Sequence, residues 1–442
     1  MRIAGRLGLA GLALLLACGP GFAQGLPRPS GAGVPAAPRS ETPPPAPGQA
    51  KSSLPTVRIG ALLPLSGAAA WFGKEMRQGM ELAIADLGRP RRPMPRADSP
   101  EALPDEDQKA AAAAERANEE ALPRPGVTLA LEVADVPSLN VKQAVEQFTR
   151  LAAMQVPVVF TASTTPTLAV YPLASSRDVL LIHQGLVTHR FPRASRVLLH
   201  TRPPTAARVD ALIAFARERR IHRLAIVAGG DEFGKTVRAA LSVRWPERGG
   251  ALVHEESLTL DAPDLPARLH QLVRRVPEAV VLGFHGAELG DLAARLREAG
   301  YTGPLFLLDD DPAALLAGGV ALQDAAVFTD AFVPERGSAG ERFADAYAKK
   351  FGSPPSRYAA NAYEAVTMVA EGIRVAREDN RGTPGGTRLR ETLGGLRNLP
   401  SLYGGHVALR DDGTPSRPLA LFTVDGGKLT FVRYIAPAGP SS

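Results

Sequence analysis

Three hydroxyl side chains, Ser163, Thr164 and Thr165, follow the apolar run PVVFT (157–161). A helix that starts there offers unpaired N–H groups and a partial positive charge, which suits a carboxylate. Plain N-capping by Ser or Thr is the other reading of the same residues. Three acids, Asp309, Asp310 and Asp311, close the run PLFLL (304–308), as a cation partner or as a solvated turn that caps a helix near Pro312. Two aromatics, Trp71 and Phe72, stand in the loop that follows VRIGALL (57–63), ahead of a helical pattern. A fourth loop, Gly229-Gly230-Asp231-Glu232-Phe233-Gly234, follows LAIVA (224–228). All four lie just past the carboxyl ends of β-rich runs, where open α/β sheets bind ligands.

Other chemistries lack their residues. The single cysteine, Cys18, excludes an internal disulfide, a CxxC redox pair and a cysteine-based zinc site. The eight histidines are scattered without metal-ligand spacing, so no cofactor is expected. There is no GxxxxGK[ST], no GxGxxG after a strand, no HExxH and no GxSxG. No catalytic constellation is visible, and the chain reads as a non-enzyme. The 51 Lys+Arg against 45 Asp+Glu give a net charge of +6 over 442 residues, with no basic stripe. Nucleic acid is not an expected partner.

The elements that must position these residues alternate. After VRIGALL, Met76, Met80, Ala83, Ile84 and Leu87 fall at helical spacing. Strands are predicted at 129–135, 157–161, 179–183 and 196–200, then at 224–228, 251–260, 279–284 and 304–308, with amphipathic helices between them. Apolar strands separated by such helices imply an α/β fold with doubly wound parallel sheets. Helices follow at 339–351 and 359–377. The period then switches to closely spaced antiparallel strands over 406–434, with DDG and DGG turns.

Two segments stand apart from this series. Residues 1–23 carry Arg2, Arg6 and an apolar run to Ala17, which reads as a secretory signal too short to span a bilayer. Leu15-Leu16-Ala17-Cys18 resembles a bacterial lipobox with Cys18 as the acylated first residue; cleavage after Ala23, leaving Gln24 first, is the alternative. Residues 24–55 hold nine prolines in 32 residues and read as a disordered tether. Residues 88–125 hold seven prolines and an alanine run, and read as a mobile surface insertion.

In order along the chain, these runs resemble the periplasmic leucine/isoleucine/valine-type binding proteins, the type I solute receptors of branched-chain amino acid ABC transporters. The resemblance is carried by RIGALLPLSG with GKEMRQGMELAIADL (58–87), VPVVFTASTTPTLAVYPLASSRDVLLIH (156–183) and LAIVAGGDEFGKTV (224–237). It continues through AVVLGFHGAELGDLAARLREAGYTGPLFLLDDD (279–311) and GGHVALRDDGTPSRPLALF (404–422). It implies a two-lobed periplasmic binding protein fold joined by three crossovers near 200, 334 and 400. One lobe would hold 56–200 plus 335–400 and the other 201–334 plus 401–435. It also implies a small polar ligand, an amino acid or related carboxylate, held between the lobes and delivered to an ABC permease in the membrane.

Carried over by position, Phe72 lines the apolar pocket, and Ser163, Thr164 and Thr165 hold the α-carboxylate. Gly185 to Val187 form a second carboxylate loop, with Val187 where the family normally has Thr. Phe233 stands at a usual Tyr position, another Tyr is normal near His285, and Asp310 (Asp309 if the alignment slips by one) meets the ammonium. His183 and Gln184 stand near enough in sequence to replace the lost hydroxyls. The resemblance places the protein in the periplasm or outside the cytoplasmic membrane, lipid-anchored if Cys18 is acylated. A regulator on the same fold, such as a lipoprotein that activates cell-wall synthases through protein contacts, is the alternative that the tether and insertion suggest.

Overall fold

The computed structural model describes residues 54–67, 69–89, 126–137, 140–188, 190–192, 194–284, 286–308, 320–379, 382–397 and 399–436. The expected signal segment, Cys18, nearly all of the tether and insertion, His285, Asp309 and Asp310 lie outside them.

Five strands build the first sheet: β1 (Thr56–Leu63), β2 (Thr128–Asp135), β3 (Val158–Thr161), β4 (Leu180–His183) and β5 (Leu198–His200), ordered β2-β1-β3-β4-β5. Every pair is parallel. Helices α1 (Ala70–Leu87), α2 (Val141–Ala153) and α3 (Thr164–Ser176) lie between the strands in sequence. Strands β3, β4 and β5 are buried throughout and apolar up to their last residue, because both faces are covered. Ile59, Phe160, Leu180 and Ile182 join one core, with Met76 and Met80 of α1. Val159 and Leu181 join the other, with Phe148 and Leu151 of α2.

The second sheet repeats the scheme with β6 (Arg223–Ala228), β7 (Ala251–Ser257), β8 (Ala279–Gly283), β9 (Leu305–Leu308) and β10 (Ala326–Thr329), all parallel. Helices α4 (Thr205–Glu218), α5 (Glu232–Glu247), α6 (Leu265–Val273) and α7 (Ala287–Glu298) flank it. Asp231 caps α5, its Oδ1 accepting the Gly234 N–H at 2.8 Å. Two late strands complete this sheet in the expected antiparallel sense: β14 (Leu419–Asp425) beside β10, and β15 (Lys428–Ile435) beside β14.

After β10 the chain returns to the first sheet through α8 (Ala339–Phe351), α9 (Arg357–Asp379) and α10 (Gly386–Gly395). Ser338 caps α8, and Gly352 ends it at φ 78°. Helix α9 crosses α1 closely enough that a Cβ on Gly79 would lie 2.2 Å from the Ala359 carbonyl oxygen. A small antiparallel sheet follows, β11 (Leu399–Pro400), β12 (His406–Leu409) and β13 (Pro415–Ser416). The sequence reading expected the last passage between lobes near 400. Instead Leu402, Tyr403 and Leu409 pack into the first core, and the passage falls at 417–418, just before β14. The two lobes are therefore joined by three crossovers, near 201–204, 330–338 and 417–418. Among the described residues no helix is long and apolar enough to cross a membrane.

Candidate functional site

Strands β1, β3 and β4 are neighbours, so the loops leaving their carboxyl ends stand side by side. The loop after β1 is held by Asp135 at the end of β2, whose Oδ1 accepts N–H bonds from Leu65 (2.8 Å) and Ser66 (3.2 Å). Gly73 lets α1 approach that loop, since a Cβ there would sit 2.0 Å from the Pro64 carbonyl oxygen. The expected pocket aromatic, Phe72, stacks on Tyr358 of α9 at 5.2 Å, and exposed Trp71 meets both rings edge-on at 5.5 and 5.4 Å. The Arg357 guanidinium lies 5.0 Å from the Tyr358 ring centre. Sequence reasoning missed Tyr358 and Arg357, which come nearly 290 residues after Phe72 and carry no local signal.

Ser163 is the N-cap residue of α3, in extended conformation, and its side chain makes no capping bond. Capping therefore does not consume this hydroxyl, which leaves it able to meet a ligand. Thr164 Oγ1 donates to the Leu186 carbonyl at 3.3 Å and so ties this loop to 185–187. Gly185 tightens the same contact: a Cβ there would lie 2.3 Å from the Ala162 carbonyl oxygen. The structure thus sets the Ser163–Thr164 turn against Gly185 and Leu186, with Thr165 in the first turn of α3 and Val187 next in sequence.

Behind these loops lies a buried polar cluster that the sequence did not reveal. Thr167 Oγ1 is 2.8 Å from Thr161 Oγ1, 2.7 Å from the Ser163 carbonyl oxygen and 3.0 Å from His183 Nδ1. His183 Nε2 lies 3.3 Å from the Leu186 carbonyl oxygen, the arrangement of a neutral ring that donates there and accepts at Nδ1. Burial, with a further push from His200, holds the His183 pKa well below its ordinary value. His183 thus braces the loop and has no nitrogen left for a solute.

In the other lobe, Phe233 is in the first turn of α5 and packs into the core with Val237 and Trp245. A groove of about 600 Å³ with Phe215, Arg219, Arg297 and Phe306 in its walls lies at the amino-terminal ends of β9 and β10, away from these loops.

The crossovers between lobes are tied by buried charge. Arg202 on the first makes a bidentate pair with Asp330 on the second, Nε at 2.6 Å and Nη2 at 2.9 Å. Arg208 (3.4 Å) and Arg357 (3.9 Å) approach the same carboxylate. Burial alone would raise the Asp330 pKa, but these guanidiniums overcome it and hold the carboxyl well below its usual range. Arg417 on the third crossover donates to the Thr201 carbonyl (2.6 Å), Asn361 Oδ1 (2.7 Å) and Glu364 Oε1 (3.0 Å).

Among the described residues no group of His, Cys, Asp or Glu could hold a metal ion. Residues 97–428 match the family model described as periplasmic binding protein. No curated protein matches the sequence. Solved structures of the same fold include the leucine-binding protein LivK from Thermotoga maritima, at 17% identity and TM-score 0.58, covering 86% of this chain and 99% of that one. The substrate-binding protein LivJ from Streptococcus pneumoniae, solved with isoleucine, is 18% identical with TM-score 0.58, covering 86% and 100% of the two chains. A solute-binding protein from R. palustris, solved with benzoate, is 16% identical with TM-score 0.56, covering 87% and 97%.

Proposed function

The chain belongs to the periplasmic binding protein family, a family of binding proteins rather than enzymes, and from that premise we propose that it captures a small polar solute between its lobes for ABC-type import. The solute is an amino acid or a related carboxylate. The observation that carries this reading is the start of α3, where the Ser163 hydroxyl is not spent on capping and the loop is braced against 185–187. A helix N-terminus with a spare hydroxyl favours a carboxylate. Phe72, stacked on Tyr358, supplies an apolar wall. His285 and Asp309 or Asp310 would close on the solute from the second lobe, the acid meeting an ammonium, while Phe233 backs the loop from the core. Delivery to a membrane permease, a location outside the cytoplasmic membrane and an acyl anchor on Cys18 belong to the same reading.

The test is thermal shift against the twenty L-amino acids and benzoate. A true solute at one hundred times its dissociation constant stabilises the folded chain by ~2.7 kcal/mol. Ser163→Ala should weaken that shift. A panel in which nothing stabilises the protein would reject the solute reading and favour a regulator that works through protein contacts.

A further inference from the structure

His183 and Gln184 leave β4 together, and their surroundings differ. Both ring nitrogens of His183 are engaged inside the lobe. Gln184 is fully buried, yet neither Oε1 nor Nε2 of its amide has a hydrogen-bond partner among the described residues. Its backbone N–H donates to the Thr161 carbonyl at 2.8 Å, so the extended ladder runs one residue past β4. Alternation then sets Gln184 on the face of Leu180 and Ile182, which pack with α1 and α9, opposite the face of Leu181 and His183.

The next strand repeats the arrangement. Thr201 N–H donates to the His183 carbonyl at 3.0 Å, Leu199 places Thr201 on the same face, and Thr201 Oγ1 is also buried without a partner among the described residues. Arg417 links the Thr201 carbonyl to Asn361 of α9, whose Nδ2 is a fourth such atom. Buried polar groups are nearly always satisfied, so three neighbouring side chains with four atoms left open among the described residues point to something that meets them from outside. Gln184 also adjoins Gly185, whose tight contact with Ala162 sets this backbone beside Ser163.

We propose that Gln184 determines specificity in the solute site, its amide donating to and accepting from the polar end of the solute where Val187 offers no hydroxyl. This inference rests on the solute-capture reading above. An amide that donates through Nε2 and accepts through Oε1 matches a solute with a donor and an acceptor side by side, such as an α-amino acid. A plain carboxylate such as benzoate uses the donor alone. A site built for such a pair rejects an analogue that lacks one of them.

The experiment is calorimetric titration of parent and Gln184→Met with those L-amino acids that shift the parent's melting, and with benzoate. The expected result is at least a tenfold loss of amino-acid affinity in Gln184→Met, with an unchanged circular dichroism spectrum and a melting temperature equal to or above the parent's. A merely structural amide would give the reverse, a lower melting temperature with affinity intact. Unchanged affinity overturns the inference and leaves the solute-capture reading standing, because ordered water then satisfies the amide. Tighter binding of benzoate than of every amino acid overturns it as well. If no probe binds the parent, the reading beneath it fails first and takes this inference with it.

Discussion

Gly185 shows how a position without a side chain fixes the chemistry around it. A methyl group there would lie 2.3 Å from the Ala162 carbonyl oxygen and 2.8 Å from a ring carbon of His183. Neither neighbour can yield, because His183 is held by Thr167 and by Leu186. Gly185→Ala is therefore expected to destabilise the fold by about 1–3 kcal/mol, the usual penalty of overpacking, read as a lower urea midpoint. The loop residues themselves were legible in the sequence, because Ser163, Thr164 and Phe72 sit where strand and helix patterns meet. What held them was not. Thr161 and Thr167 read as ordinary strand and helix residues and His183 as a replacement polar contact for the solute, and only pairing of β3 with β4 brings the three together. Tyr358 and Arg357 were equally hidden, since stacking on Phe72 depends on how α9 crosses α1.

Strands β4 and β5 carry a pH dependence in their last residues. His183 and His200 are paired across these strands and their rings meet edge-on at 5.6 Å. Burial lowers His200 to about 4, the nearby Asp412 only partly opposing it, and lowers His183 well below its ordinary value. The unfolded chain binds these protons near the ordinary value of ~6.5, so below that pH it holds more protons than the folded one. Stability is thus complete above about pH 6.5 and is lost as the pH falls toward 4, with His200 alone costing on the order of 2 kcal/mol at pH 5. Urea midpoints should hold level from pH 7.5 to about 6.5 and then fall steadily to pH 4.5, and His200→Phe should flatten the slope without abolishing it. Asp330 acts outside this window, since a depressed carboxyl gives up its stabilisation only below about pH 4. The parallel strands were plain from their apolar runs. The end of the chain was harder: HVAL and LALFTVD read alike as half-buried strands, yet β12 joins a small sheet on the first lobe and β14 extends the second. Periodicity reports a strand without naming its partner.

Across the whole molecule, the lobes meet at a few buried charges. Asp330 neutralises Arg202 and is approached by Arg208 and Arg357, while Arg417 binds the first crossover and α9 together. Asp330→Asn would leave those guanidiniums buried without their carboxylate. A cost of about 3–5 kcal/mol is expected in chemical unfolding, as for breaking any buried ion pair from one side. Arg77→Ala, which removes only the exposed pair with Glu81, should leave the midpoint nearly unchanged. None of the buried pairs could be foreseen, because Arg202, Asp330 and Arg417 are separated by more than eighty residues each and look like any charged residue in a loop.

The return of α9 to the first sheet also sets a timetable for synthesis. Strands β1 to β5 leave the ribosome first, yet one of their faces is covered by Tyr363, Val366, Val369 and Ile373 of α9. The stretch from residue 200 to residue 357 takes roughly 8–30 s to translate at ~5–20 residues per second. Throughout that interval Ile59, Phe160 and Ile182 have α1 as their only early helix on that side, while the parallel strands of the second sheet are still being made. A first lobe that began to fold before α9 emerged would leave one face of its sheet half open, and a chaperone that holds the chain unfolded until export would shield that face meanwhile.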